Sequence, residues 1–244
     1  MTAPFYVSPQ QVLADRAEYA RKGIARGRSI VACEVDGGIL VVAENSMPSL
    51  HKVAEMYDRI AFAAVGRYNE FEALRVAGVR RADLTGYSYS REDVTARALG
   101  GAYSQSLGQI FTHELKPMEV EILVAEVGID PDGSGDSMFR VTFDGQISDE
   151  KRFMAMGGDA DSLSARISAD YEDRMGGADA IELAVTAMVA ETGRAIGVSS
   201  LEVALLARAD TRRCFSRIEG EELAEMLGAD EITPDGTGSA GDEA

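Results

Sequence analysis

The chain moves between two hydrophobic periods. From Ser29 to Gly66, apolar residues run almost without a break through "SIVACEV", "ILVVAEN" and "RIAFAAVG". Short runs of this kind, rich in Val and Ile and bounded by turn residues, predict strands covered on both faces. Asp36-Gly37-Gly38 between the first two predicts a hairpin. "HKVAEMYD" is the expected partner of "RIAFAAVG" in a second hairpin. After Gly66 the spacing lengthens. Phe71, Leu74, Val76 and Val79 fall near helical spacing. A further helix is predicted over "SREDVTARALGGAYSQSLGQIF", opened by Ser90 with Asp93 three residues on. Its apolar face is expected to include Val94, Ala98, Leu99, Ala102 and Leu107, and Gly100-Gly101 weakens it.

The strand period then returns in "MEVEILVAEVG", in "SMFRVTFD" and, past an Asp144-Gly145 turn, in "ISDEKRFMAMGG", taken as one strand. Two helices follow, around "DADSLSARISADYEDRM" and "ADAIELAVTAMVAETGRAIG". The chain closes with "LEVALLARAD", "CFSRIE" and a short helix, "EGEELAEML". One helix precedes the first strand. In "SPQQVLADRAEYARKG", Ser8 is a natural N-cap, Pro9 fits the first helical position and Gln11 is placed to complete a capping box. An end near Gly23 is expected. Residues 1–7 have no periodicity. Residues 228–244 are acidic and Gly-rich and are expected to be disordered. Residues 8–227 then make one domain.

Strands come in hairpin-joined runs and helices in pairs. That is not the βαβ alternation of a parallel, doubly wound sheet. The economical arrangement is α+β: two mainly antiparallel sheets face to face, with helix pairs on their outer faces.

Composition narrows the function classes. The 244 residues are 45% apolar and carry a net charge of −17. A core of good size is available, and a nucleic acid or an anionic membrane is a poor partner. No signal peptide and no membrane-length apolar run are read, so the expected compartment is cytoplasmic. Cys33 and Cys214 sit in strand-like apolar surroundings and read as small buried hydrophobes. His51 and His113 are too few for a histidine-rich metal site. "DPDGSGD" at 130–136 has the opening of a calcium loop but Val141 where the bidentate Glu belongs, so a hairpin turn is the better reading. "GGDAD" at 157–161 lacks the lysine of a P-loop and reads as a turn with Asp159 capping a helix. Glu221-Glu222 reads as a solvated helix face. No metal or cofactor is implied.

The first hairpin carries a resemblance. An Ile-Val-Ala strand, a Gly-Gly turn, an apolar strand ending in Glu44 and then Lys52 before a third strand resemble the opening of a proteasome-type subunit. Ser8-Pro9, Glu18-Tyr19-Ala20-Arg21 and Gly27 are similar to the signature of the proteasome α subunits. "FYVSPQQVLADRAEYARKGIARGRSIVACE" and "HKVAEMYDRIAFAAVGRYNEFEALR" most resemble the actinobacterial α type. The resemblance covers residues 5–227 in element order. Lys116-Pro117-Met118 departs from the Arg-Pro-Tyr-Gly of archaeal relatives.

The resemblance implies a four-layer αββα sandwich of the N-terminal-nucleophile hydrolase fold, with an extra N-terminal helix. Catalytic members begin their first strand with an exposed threonine whose own amine assists it. Here Arg28 and Ser29 take that place behind a helix, so no catalytic residue is expected. Seven copies would form a ring that stacks on catalytic β subunits. Residues Thr2, Ala3, Pro4, Phe5, Tyr6 and Val7 would gate the entrance to tagged or unfolded protein substrates. The helix bearing Ser8, Pro9, Val12, Leu13, Glu18, Tyr19 and Ile24 would pack against neighbouring subunits, having little apolar area for its own core. Lys52 would dock the C-terminal tails of an AAA+ ATPase ring. The rival readings are a self-processing hydrolase of the same fold and a free-standing small-molecule binding protein.

Overall fold

Ser8 starts the first helix, α1 (Pro9–Ile24), by accepting the backbone N–H of Gln11 on its side chain at 3.2 Å. The Gln11 side chain does not return the bond; it donates to Asp15 Oδ1 at 2.7 Å. The cap therefore has one arm instead of the two of a capping box. α1 also runs past Gly23 to Ile24 and ends on Ala25 in right-handed geometry. Gly23 is needed for another reason: a Cβ there would lie 2.1 Å from Glu119 Oε2.

The computed structural model describes residues 8–47, 49–130, 132–209, 212–229, 231–234 and 236–237. After α1 come β1 (Ile30–Val35), β2 (Gly38–Glu44), β3 (Val53–Tyr57), β4 (Ile60–Gly66), α2 (Tyr68–Ser88) and α3 (Ala96–His113). The second half holds β5 (Val120–Glu126), β6 (Ser137–Val141), β7 (Ile147–Glu150), β8 (Phe153–Met156), α4 (Ala160–Asp170) and α5 (Gly177–Thr192). It closes with β9 (Ile196–Gly197), β10 (Leu201–Ala207), β11 (Phe215–Ile218), α6 (Gly220–Leu227), β12 (Glu231–Thr233) and β13 (Gly236–Thr237).

Two five-stranded antiparallel sheets result, ordered β11-β10-β2-β1-β8 and β3-β4-β5-β6-β7. Their alternation builds the layers. Ile30 and Ala32 of β1 join Ala61, Ala63 and Val65 of β4 in a core between the sheets. Val31, Cys33 and Val35 turn the other way, onto Leu163 and Ile167 of α4 and Ile181, Val185 and Met188 of α5. Ile60, Phe62 and Ala64 of β4 face Phe71 and Leu74 of α2 and Leu99, Tyr103 and Leu107 of α3. The order of layers is helices, sheet, sheet, helices, as expected. Each fully buried aliphatic side chain contributes roughly 1.5–3 kcal/mol. That sum over three clusters is what fixes the sandwich.

Four local expectations are corrected. Ser90 and Asp93 do form a capping box, but it closes a 3-10 turn, Arg91–Asp93. α3 starts later, with Thr95 accepting the N–H of Ala98. Its buried face is Ala96, Leu99, Gly100, Tyr103 and Leu107, while Ala98 is exposed. "ISDEKRFMAMGG" is two strands in different sheets, β7 and β8, divided at Arg152, whose φ is 70°. Charge and turn residues inside an alternating run concealed that crossing. The chain also stays ordered beyond 228 among the described residues. β12 pairs with β9 and β13, and Ile232 is buried against the α4–α5 layer. A single Ile in an acidic stretch was too little signal. Residues 238–244 lie outside the described residues.

Gly66 ends β4 at φ +114°, and a Cβ there would lie 1.8 Å from the carbonyl oxygen of Glu119. Gly66→Ala is expected to cost on the order of 2–4 kcal/mol. Gly101, exposed in α3 with nothing within 4 Å of its would-be Cβ, offers the contrast. Gly101→Ala is expected to stabilise by about 0.5–1 kcal/mol. Denaturant midpoints of the two variants check both signs.

Candidate functional site

Antiparallel pairing brings the start of β1, the end of β2 and the start of β10 to one end of the sandwich, where the start of β3, in the other sheet, meets them. The polar residues at those strand ends meet there. Ser29, just before β1, is 2% exposed, and its carbonyl accepts the N–H of Glu44 at 3.0 Å. Gly158, which follows β8, lies over it: a Cβ on Gly158 would be 2.7 Å from the Ser29 hydroxyl. The hydroxyl is therefore buried with Gly158 close against it.

Glu44 ends β2 and is buried. Arg194, in the turn after α5, donates to both of its oxygens at 2.6 and 2.8 Å. Arg28 stands 3.2 Å away. Lys52, just before β3, is partly buried and donates to the Arg28 carbonyl at 2.9 Å. Three cations thus gather round one buried carboxylate, on a chain whose overall charge is −17. Burial pushes the Lys52 ammonium down from 10.5 to about 8; Glu44 and Glu202 oppose the shift and Arg28 adds to it.

Glu202, the second residue of β10, lies below this cluster. Its carboxylate accepts the backbone N–H of Lys52 at 2.9 Å and of Val53 at 3.2 Å, and Arg217 pairs with it at 2.7 Å. Burial would raise the Glu202 carboxyl, but those bonds and Asn45 outweigh it and hold it below the ordinary value.

A model of the family "proteasome subunit" matches residues 24–205. This chain belongs to the proteasome subunit family. It is 55% identical to "Proteasome subunit alpha" of Thermobifida fusca over 93% of this chain and 91% of the relative. It is 54% identical to the protein of that name from an Arthrobacter species, over 93% and 98%. With the one from Saccharopolyspora erythraea it shares 52% over 100% and 96%. The actinobacterial α resemblance is therefore shown along nearly the whole chain, and likeness to α subunits supports a non-catalytic proteasome subunit. The sandwich described above is the fold of that family.

The residues named from the sequence fall into two places. Glu44, Lys52 and Ser29 come together at the cluster. The α1 residues form a separate surface. Ser8 and Pro9 are exposed, Val12, Leu13 and Tyr19 are 37%, 42% and 47% exposed, and the Glu18 side chain faces solvent beside Lys22. Ile24, by contrast, is buried with Ala20 in the core between the sheets. The expectation that α1 gives its own core little therefore fails for its last turns and holds for its first two. Arg16, donating to the Phe111 carbonyl at 2.9 Å, fixes its angle at the end of α3. Residues Thr2 to Val7 lie outside the described residues.

Arg194, Glu202 and Arg217 were not singled out from the sequence. Arg194 follows a helix end and carries no pattern. Glu202 did leave a sign: a carboxylate at the head of the apolar run "LEVALLA" has to be paired somewhere.

The depressed Lys52 has a consequence for stability. Its folded value, about 8, is below the ordinary 10.5, so between those limits the unfolded chain binds more protons. Stability arising from this group therefore rises with pH across that window, from a penalty that is full below it. The difference in unfolding free energy between Lys52→Met and the parent chain is expected to shift steadily in the parent's favour from about pH 8 to about pH 10.5. A difference that stays flat over this range would mean Lys52 is solvated like a free lysine.

Proposed function

We propose that this chain is the ring-forming α subunit of a cytoplasmic proteasome core particle. Seven copies assemble with catalytic β subunits, residues 1–7 gate the axial entrance to tagged or unfolded proteins, and Lys52 receives the C-terminal carboxylates of an AAA+ ATPase ring. The observation that carries the docking reading is the surplus of Arg28, Lys52 and Arg194 over Glu44 at one end of the sandwich. The guanidiniums are engaged with Glu44. Among the described residues, Lys52 Nζ makes one bond, to the neutral Arg28 carbonyl, and has donors left for an incoming carboxylate. A lysine suits the task, as a compact charge on a long stem.

Ring formation draws on α1. Its first two turns expose Val12 and Leu13 while its last turns are rooted in the core. A rooted helix with an apolar outer face is a rigid element for a neighbour to pack against. Double replacement, Val12→Ser with Leu13→Ser, is expected to leave the chain folded, since surface changes usually stay within about 0.5 kcal/mol each. Mixed with the β partner, this variant is expected to remain in small species on size exclusion. Normal double rings would remove α1 from the assembly surface.

Docking is tested at Lys52. Losing one partner of a partly buried charge pair costs about 2–5 kcal/mol, or on the order of 30-fold to several-thousand-fold in affinity. Lys52→Ala particles are expected to assemble and to cleave short peptides normally, yet to lose binding of the ATPase tail peptide. Lys52→Arg is expected to restore it in part, because the fork geometry differs. Wild-type affinity in the Lys52→Ala particle would sink the docking reading.

A further inference from the structure

We propose that Glu202 is the positioning residue for Lys52: from the opposite sheet it clamps the loop that carries the lysine, and so sets how tightly a carboxylate tail docks there. The inference rests on the docking reading and adds a residue that touches no ligand.

Lys52 heads β3 in one sheet, and Glu202 stands on β10 in the other. The side chain of Glu202 therefore does across the sandwich what no ladder bond does. Its Oε2 accepts the N–H of Lys52 at 2.9 Å and the amide of Asn45 at 2.9 Å. Its Oε1 accepts the N–H of Val53 at 3.2 Å and Arg217 at 2.7 Å, and His51 Nδ1 lies 3.2 Å from it. Asn45 in turn takes the N–H of Met47 at 3.0 Å and donates to the Leu50 carbonyl at 3.0 Å. Both ends of the loop thus converge on one carboxylate that is itself 5% exposed.

This convergence fixes the root of the lysine. The Lys52 carbonyl is held as well, by the N–H of Ala64 at 3.1 Å. With the backbone tied on both sides, only the side-chain torsions remain to be ordered when a ligand arrives. Pre-ordering of that kind raises affinity without adding a contact.

Glu202 also acts through charge. The groups that face the ammonium are Arg28 before β1, Glu44 on β2 and Glu202 on β10, with Arg194 behind Glu44 and with His51 and Arg217 on Glu202. Glu44 and Glu202 favour the charged lysine and Arg28 opposes it. A mere structural cross-link would hold the loop but would not move the pH at which docking is lost.

The test uses assembled particles of this chain with its β partner. The probe is a short peptide with a free C-terminal carboxylate, with the C-terminal amide as control. Affinity is measured from about pH 6 to about pH 10, across the range in which a depressed lysine titrates, for wild type, Glu202→Gln, Glu202→Asp, Lys52→Ala and the Lys52→Ala/Glu202→Gln double variant. Glu202→Gln sets an amide donor against N–H donors and removes the charge. It is expected to weaken the peptide on the order of tenfold to a hundredfold near neutral pH. It is also expected to lower the pH of half-maximal loss by about one unit. Glu202→Asp keeps the charge but shortens the reach, and is expected to weaken binding at an unchanged midpoint; it carries the test should the Gln variant not assemble. In the Lys52→Ala background the Glu202 change is expected to add nothing.

Wild-type affinity in both Glu202 variants, with Lys52→Ala unable to bind, overturns the positioning role alone. A weakening by Glu202→Gln that leaves the pH of half-maximal loss unmoved reduces Glu202 to a structural cross-link and also overturns it. Tight binding by Lys52→Ala removes the docking reading itself.

Discussion

Strands that are apolar on both faces must be covered twice, and this constraint organises the molecule. Ile30 and Ala32 need one partner layer, while Val31 and Cys33, their immediate neighbours, need another. Two sheets pressed together satisfy the inner faces, and helix pairs satisfy the outer ones. Little room is left inside for polar chemistry. Ionisable side chains are driven to the strand ends, where the sandwich stops. Antiparallel pairing then delivers the start of one strand and the end of its neighbour to the same rim. Ser29, Glu44, Lys52 and Glu202 meet because of that topology, although more than 150 residues separate the first from the last.

The double covering was legible because it is written as nearly unbroken apolar runs. "ILVVAE" and "IAFAAV" have no polar face to give to water, so layers on both sides followed from the residues alone. Hairpins with Asp-Gly turns were legible for the same reason of local chemistry. What failed was whatever depends on a single residue or on a distant partner. Arg152 takes the chain from one sheet to the other at φ 70°, and nothing in "DEKRF" announces a change of sheet. Ser90 carries a complete cap, yet the helix it should open begins at Ala96, because the cap is consumed by a 3-10 turn. Ile232 is buried by β9, a partner that only the fold supplies.

The candidate site divides along the same line. Glu44 and Lys52 were named because they flank strands in a register that resembles a known family. Arg194 and Arg217 reach the site from elements read last, with nothing to mark them. Their contribution is electrostatic. A buried carboxylate without cations is costly, and each of these arginines satisfies one: Arg194 satisfies Glu44, and Arg217 satisfies Glu202. Lys52 lies between the two neutralised pairs. It carries a positive charge that neither carboxylate needs for its own satisfaction.

On the proposed reading, that surplus suits the arrangement to recognition of an anion. Nucleophilic catalysis needs a nucleophile and its base within hydrogen-bond reach of each other. Here Glu44 is held by two guanidiniums, and the Ser29 hydroxyl is buried with Gly158 close against it, with Arg28 joining Ser29 to the α1 side of the chain. The Lys52 ammonium consequently points to the Arg28 carbonyl, a neutral and replaceable partner. Exchanging that carbonyl for an external carboxylate would give the ammonium a charge-assisted bond, about twice as strong as a neutral one. Its negative charge would also offset the desolvation that now depresses the lysine. On the proposed reading, the rim is electrostatically prepared to accept one anion, with Glu202 fixing the backbone from which the lysine reaches it.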